Sequence, residues 1–182
     1  VQPDPFLQAL PEDSELPMAV RRLHGNTGLY SGRCDVRRGR GLLIDLMLRL
    51  GRFPLNAEDI PVQVRIERNG HEWTWQRDFN GHTTCSRLIH DHETGSIREK
   101  LGWVTLWLKP EVSDGRILIH IRRLSVLGLP CPAFLLPRSS TAEWQGEDGH
   151  FWFDVSAEVP MLGRLIRYRG WLTPVHAEGH CD

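Results

Sequence analysis

Residues 62–89 read VQVRIERNGHEWTWQRDFNGHTTCSRLI, and the parsing of this stretch decides the fold class. Val62, Val64 and Ile66 alternate with Gln63, Arg65 and Glu67, the period of a strand with one dry face and one wet face. Asn69-Gly70 then offers the two left-handed positions of a tight hairpin turn. The returning strand sets Trp73, Trp75, Arg77 and Phe79 on one face, and Asn80-Gly81 turns the chain again into a strand through Cys85, Arg87 and Ile89. Three strands in series joined by two-residue turns make an antiparallel sheet.

The same cadence continues downstream. A turn near Glu93 to Gly95 precedes the strand WVTLWL, and Asp114-Gly115 turns into RILIHIRRL, where Ile117, Ile119 and Ile121 oppose Leu118, His120 and Arg122. LGLPCPAFLLPRSS breaks the pattern, because Pro130, Pro132 and Pro137 cannot donate to a ladder. Its apolar content implies that this loop packs onto something. A hairpin around Gly146 to Gly149 follows, with Phe151, Phe153, Val155, Ala157 and Val159 on one face and Asp154 and Glu158 on the other. The last strand, Arg164 to Leu172, places Arg167 and Arg169 between Leu165 and Trp171.

Upstream, the period changes. SELPMAVRRLHG predicts a helix capped by Ser14 and stopped by Gly25, with Leu16, Val20 and Leu23 on one face. GLYSGRCDVRRG alternates as a strand with Tyr30, Gly32, Cys34 and Val36 on its dry side. RGLLIDLMLRLGRFP predicts a short amphipathic helix whose stripe is Leu42, Leu43, Leu46, Met47 and Leu50. The expected architecture is mainly β (α+β), one domain over residues 1–182. It is a single curled antiparallel sheet or incomplete β-barrel of about nine or ten strands with two short N-terminal helices. The helix over 42–50 lies on the concave face or caps an end. Residues 1–13 are expected to be loose and 175–182 a frayed tail.

The totals narrow the function classes. The 182 residues carry 22 basic and 23 acidic side chains, a net charge of −1. That balance argues against a general nucleic-acid binder. No apolar run is long enough to span a bilayer, and no signal peptide is visible in an acidic, Pro-rich N-terminus. The chain starts at Val1, which fits a segment of a longer protein or a processed form. The four cysteines, Cys34, Cys85, Cys131 and Cys181, form no CxxC and read as free thiols of a reducing, cytoplasmic setting.

The order LHG, GLYSGRCDVRRGRGLLIDLMLRLGRFP, WTWQRDF, DGRILIH, LGLPCPAFLLPRSS and FWFDVSAEVPMLGRLIRYRGWL resembles an uncharacterised bacterial domain, domain of unknown function 4166, from about Leu16 to Leu172. The resemblance implies a bacterial cytoplasmic protein. It also implies a partner, an NAD(P)-binding oxidoreductase domain of the saccharopine-dehydrogenase kind that often precedes this domain. It carries no activity and no catalytic residues. The chain itself lacks the dinucleotide fingerprint, since GNTGLYSG holds no G-x-G-x-x-G.

The candidate chemistry is arginine set among apolar strand residues. Trp73, Trp75 and Arg77, His120 and Arg122, and Arg167, Arg169 and Trp171 are the expected ligand-binding residues. A cation facing a cavity needs an anionic or polar partner, and the planar guanidinium suits a carboxylate or phosphate. If those faces are instead outer ones, the arginines are simply solvated or paired. His90 and His92 could share a metal at i,i+2, but no spaced third ligand accompanies them. Ser86 and Cys85 sit in no nucleophile motif, and Cys85 reads as a buried thiol. Asp154, Glu158 and Glu143 read as partners of strand arginines. The loop Leu127–Leu136 and the helix Leu42–Met47 could form the mouth of an apolar pocket or a docking surface.

The function expected is therefore a non-catalytic module for an amphipathic, acidic or lipid-like small molecule, with no cofactor. Its mark would be a pocket of roughly 300 Å³ or more lined by Arg77, Arg167 or Arg169. The alternatives are an accessory docking domain and an enzyme working through His120 and Arg122.

Overall fold

Strand alternation becomes the wall of a barrel. The computed structural model describes residues 3–175. Along them run the helices α1 (Pro5–Ala9), α2 (Met18–Gly25) and α3 (Leu42–Leu50). The strands are β1 (Gly28–Arg38), β2 (Ala57–Asn69), β3 (Glu72–Phe79), β4 (His82–Asp91), β5 (Ser96–Leu101), β6 (Val104–Ser113) and β7 (Arg116–Val126). They continue with β8 (Leu129–Pro130), β9 (Arg138–Ser139), β10 (Thr141–Gln145), β11 (Phe151–Val159) and β12 (Gly163–Pro174), with a 3-10 turn at Ala133–Leu135.

Each of β1 to β7 pairs antiparallel with its successor, β10 to β12 do the same, and β12 returns to β1. The ring closes where β10 pairs with β7, through Thr141↔Ile119, Ala142↔Leu118 and Glu143↔Ile117. This corrects the incomplete barrel expected from the sequence: ten strands form a closed antiparallel barrel, with β8 and β9 as additional short strands. Closure through these pairs removes the sheet edge along that part of the ring.

The predicted dry faces point inward. Tyr30, Cys34 and Val36 of β1, Val62, Val64 and Ile66 of β2, Trp73, Trp75 and Phe79 of β3, and Ile117 and Ile119 of β7 are buried. At the β1–β12 seam the backbones approach closely. A Cβ on Gly32 would collide with the carbonyl of Trp171, and one on Gly170 with the carbonyl of Arg33. Glycine is required at both.

One bulge decides the fate of the last strand. Ala157 pairs with Ile166 but Glu158 with Arg164, leaving Leu165 as an extra residue. Leu165 and Ile166 are therefore both buried, and from there Tyr168, Gly170 and Leu172 face inward. Arg167, Arg169 and Trp171 face outward.

Other expectations are corrected. Residues 1–13 are not all loose: Asp4 caps α1 by accepting from Phe6 N (2.9 Å) and Leu7 N (3.2 Å), and Phe6 is buried. Helix α2 starts after Pro17, not at Ser14. Helix α3 buries Ile44 and Leu48, with Met47 half-buried, while Leu42, Leu43 and Leu46 of the predicted stripe are exposed. The 127–136 loop leaves Leu127, Leu129 and Phe134 in solvent rather than packed. Of the tail expected to fray, residues 176–182 lie outside the described residues.

Candidate functional site

The barrel's interior is filled at one end and hollow towards the other. Helices α1 and α2 plug the first end. His24, in the last turn of α2, is wholly buried. Its Nδ1 lies 2.7 Å from Asp4 Oδ2 and its Nε2 2.8 Å from Glu143 Oε2 of β10. The ring also touches Phe6, Trp75 and Phe151, with centroids 5.0, 5.4 and 6.1 Å away. Burial works against a charge on His24, but Asp4 and Glu143 override it and lift the pKa from 6.5 to about 10. The imidazolium bridges two carboxylates and so ties the plug to the wall at the β7–β10 closure.

Past the plug lies a cavity of about 170 Å³. Apolar side chains dominate its walls, among them Phe79, Leu106, Leu108, Ile119, Ile121 and Val155. Met47 and Leu50 of α3, with Phe53, stand at its outer end. The polar lining is sparse and includes Arg77, Glu99, Thr84, Glu143 and Tyr168.

Among the described residues Arg77 is the arginine that lines the hollow. Its Nη1 donates to Ser86 Oγ at 2.8 Å, and its guanidinium sits 5.1 Å from the Trp75 ring centroid. Its Nη2 stands 3.7 Å from Glu99 Oε1, an ion pair too long to be a hydrogen bond. Tyr168 lies across from it. Burial, eased only in part by Arg77, pushes the Tyr168 phenol up to about 12, so it stays neutral and able to donate. Among the described residues no protein hydrogen bond engages that hydroxyl. Arg77 and Tyr168 thus present donors to a mostly apolar hollow whose other polar lining is Thr84, Glu99, Ser139, Thr141, Glu143 and Ser156.

The other expected site residues are elsewhere. Trp73 and Trp75 are buried as core beneath the plug. Arg167 is turned outward and held by Asp154, Nε to Oδ1 at 2.8 Å and Nη2 to Oδ2 at 2.6 Å, the cross-strand pairing expected of that acid. Arg169 is exposed over the Trp144 ring, and Trp171 stacks outside on His150. His120 also faces outward, 3.3 Å from Glu111, and Arg122 is exposed. His120 alternates with Ile119 and Ile121, Arg122 is the extra residue where β7 bulges opposite Trp107 and Leu108, and the bulge at Leu165 turns Arg167, Arg169 and Trp171 outward. Cys85 is exposed, not buried, because it alternates with the inward Thr84 and Ser86. Cys34, Cys85 and Cys131 are free thiols, and Cys181 lies outside the described residues.

His90 and His92 pack edge to face, centroids 4.5 Å apart. Burial and then His92 lower the His90 pKa. Among the described residues no group of three metal-ligating side chains forms.

Sequence reasoning missed the Asp4–His24–Glu143 bridge. Its members lie on three elements, one of them in the segment taken as loose. Glu143 carried no signal, because its face of β10 is Thr141, Glu143 and Gln145, polar throughout. Tyr168 was hidden by the bulge at Leu165, which shifts the phase of its strand.

Among the described residues no helix is long and apolar enough to cross a membrane. A profile of the family described as domain of unknown function (DUF4166) matches residues 16–172, taking in α2 and the barrel strands but not α1. No curated protein matches the chain.

Proposed function

The chain belongs to the DUF4166 family, and we propose that its barrel is a non-catalytic binding module for a compact amphipathic molecule. The head of that molecule carries acceptor oxygens, as in a carboxylate, and meets Arg77 and Tyr168. Its apolar part lies along Leu106, Leu108, Ile119 and Ile121 towards α3.

The observation that supports this reading is the placing of Arg77 and Tyr168 as donors on a mostly apolar wall, with Glu99 3.7 Å from the guanidinium as its acidic neighbour. A concave, mostly apolar hollow with a few convergent polar groups is the usual form of a small-molecule site, and antiparallel barrels of this kind hold one small ligand. Size limits the ligand. The volume of about 170 Å³ falls short of the several hundred expected, and a dry cavity of roughly 150 Å³ accommodates benzene. A head group and a short chain or single ring fits it. Only Arg77, of the three arginines expected to line a pocket, does so.

Native mass spectrometry of the purified protein, followed by calorimetric titration with octanoate and with octane-1-ol, tests the proposal. Octanoate is expected to bind and Arg77→Met to weaken it at least tenfold, the worth of a charge-assisted contact of about 1.4 kcal/mol. Equal affinity of wild type and Arg77→Met for octanoate would sink the assigned head-group site.

A further inference from the structure

We infer that the α3 end of the barrel docks on an anionic lipid bilayer, its apolar tips entering the interface while the surrounding arginines meet the headgroups. The inference concerns the outer rim and stands without the ligand reading above.

The topology sorts the connections into two sets. At the α3 end lie the β1–β2 connection with α3, the β3–β4 turn, the β5–β6 turn, the excursion from β7 to β10 and the β11–β12 turn. Hydrogen bonds and close approaches tie them together. Leu127 N donates to Trp103 O at 2.8 Å, Gly39 N to Leu165 O at 2.9 Å, and the Gly102 α-carbon faces Leu50 O. At the opposite end the turns are Gly70-His71, one residue later than the Asn69-Gly70 expected from the sequence, Glu93 to Gly95, Asp114-Gly115 and Glu147 to Gly149.

The two ends differ in chemistry. Four of the five connections at the α3 end raise bare apolar side chains: Leu42 (91% exposed) and Leu46, Trp103, Leu129 with Phe134, and Met161 (100%). Of the large exposed apolar residues described, only Met18 and Val175 belong to other regions. The turns at the opposite end are polar or acidic throughout. Charge follows the same division. Exposed Arg40, Arg49, Arg52, Lys100, Arg138 and Arg164 flank the apolar tips. The acids at this end are Asp45, Glu58, Asp59, Asp78 and Glu158. Asp59 is already paired with Arg33, and Asp78 accepts from Gly81 N and Thr83 Oγ1.

Large apolar side chains standing fully in water mark an interaction surface. Here they stand in ones and twos on four separate connections, with exposed cations on the same connections or on the strand ends next to them. Apolar anchors with a basic collar complement a bilayer that carries negative headgroups: the tips bury area, and each cation near the surface adds attraction. A rigid protein partner would call for a flatter, contiguous patch with a polar rim.

Sedimentation of the 182-residue protein with vesicles tests this, comparing phosphatidylcholine alone with phosphatidylcholine–phosphatidylglycerol. Retention on the anionic vesicles at low salt is expected, with little on the neutral ones. The combined change Leu42→Ser, Trp103→Ser and Met161→Ser is expected to weaken retention roughly tenfold or more, since each removes a large apolar group from the interface. Arg40→Glu with Arg164→Glu is expected to weaken it as well, and Met18→Ser to leave it unchanged. All these side chains are exposed, and circular dichroism checks that the variants fold. Three outcomes overturn the inference. One is no retention on anionic vesicles. Another is retention that the triple serine variant does not reduce, which is charge attraction without insertion. The third is loss of a stoichiometric protein partner in that variant while vesicle binding is untouched.

Discussion

His24→Ala tests whether the buried bridge holds the plug in place. In the wild type His24 lies between two carboxylates at 2.7 and 2.8 Å, with no solvent exposure of its own or of Asp4. Truncation leaves Asp4 and Glu143 buried without the cation they share. Breaking a buried ion pair from one side costs about 3–5 kcal/mol. Loss of the ring beside Phe6, Trp75 and Phe151 adds a cavity to that cost. For a chain of this length the melting temperature is expected to fall by on the order of 10 °C.

The pH dependence separates charge from packing. The His24 pKa is raised from 6.5 to about 10. Its contribution is therefore complete below pH 6.5 and is lost as the pH rises through about 10, so the wild type weakens across that window. Burial already pushes the Asp4 carboxyl up, and without the His24 cation it takes a proton more readily as the pH falls, so its penalty fades. The gap between variant and wild type should narrow by at least ~1–2 kcal/mol between about pH 7 and about pH 4.5. Urea unfolding at the two pH values, read by circular dichroism, measures both quantities. A loss below about 1 kcal/mol at neutral pH, or an equal loss at both, refutes the argument.

Arg77→Met is expected to lower stability by about 1–3 kcal/mol in urea unfolding, because Ser86 and Glu99 lose their partner in a mostly buried setting; an unchanged midpoint would contradict the role given to Arg77. Asp154→Asn removes a bidentate pair that lies on the outer wall, so its cost should stay within about 1 kcal/mol by thermal denaturation, and a loss twice as large would mean the pair is part of the barrel's support. Burial, and then Asp35, push the Cys34 thiol up to about 12, whereas Cys85 is exposed. Iodoacetamide followed by peptide mass mapping should modify Cys85 in the native protein and Cys34 only after denaturation; early modification of Cys34 would show that the β1–β12 seam opens.

The barrel was legible because period and turns agree. Val62, Val64 and Ile66, Ile117 and Ile119, and Phe151 and Phe153 alternate without interruption, and Asn69-Gly70 and Asn80-Gly81 leave little choice of connection. Closure was not legible, since it rests on three residue pairs between β7 and β10 across a Pro-rich excursion. Which face is inner was read correctly on β3, where Arg77 travels with three aromatics. On β12 a single bulge changed the phase, and Tyr168 took the inward place that period alone would have denied it. For α3 the stripe holding most leucines is not the buried one: two positions, Ile44 and Leu48, suffice to seat a nine-residue helix on the barrel's end. The Asp4–His24–Glu143 bridge joins residues 20 and 119 positions apart in the chain, and no local pattern records such a meeting.

Between Ile121–Val126 of β7 and Val155–Val159 of β11 the wall is not a full-length strand but the pair of two-residue pieces β8 and β9 with the turn between them. Ser139 and Thr141 border the hollow at that point. Few ladder bonds hold this panel, so its amides are expected to exchange with solvent faster than those of the rest of the ring. The barrel's girth is thus set by nine unbroken ladders and one patched one, and the patched one is where the ring is least tied.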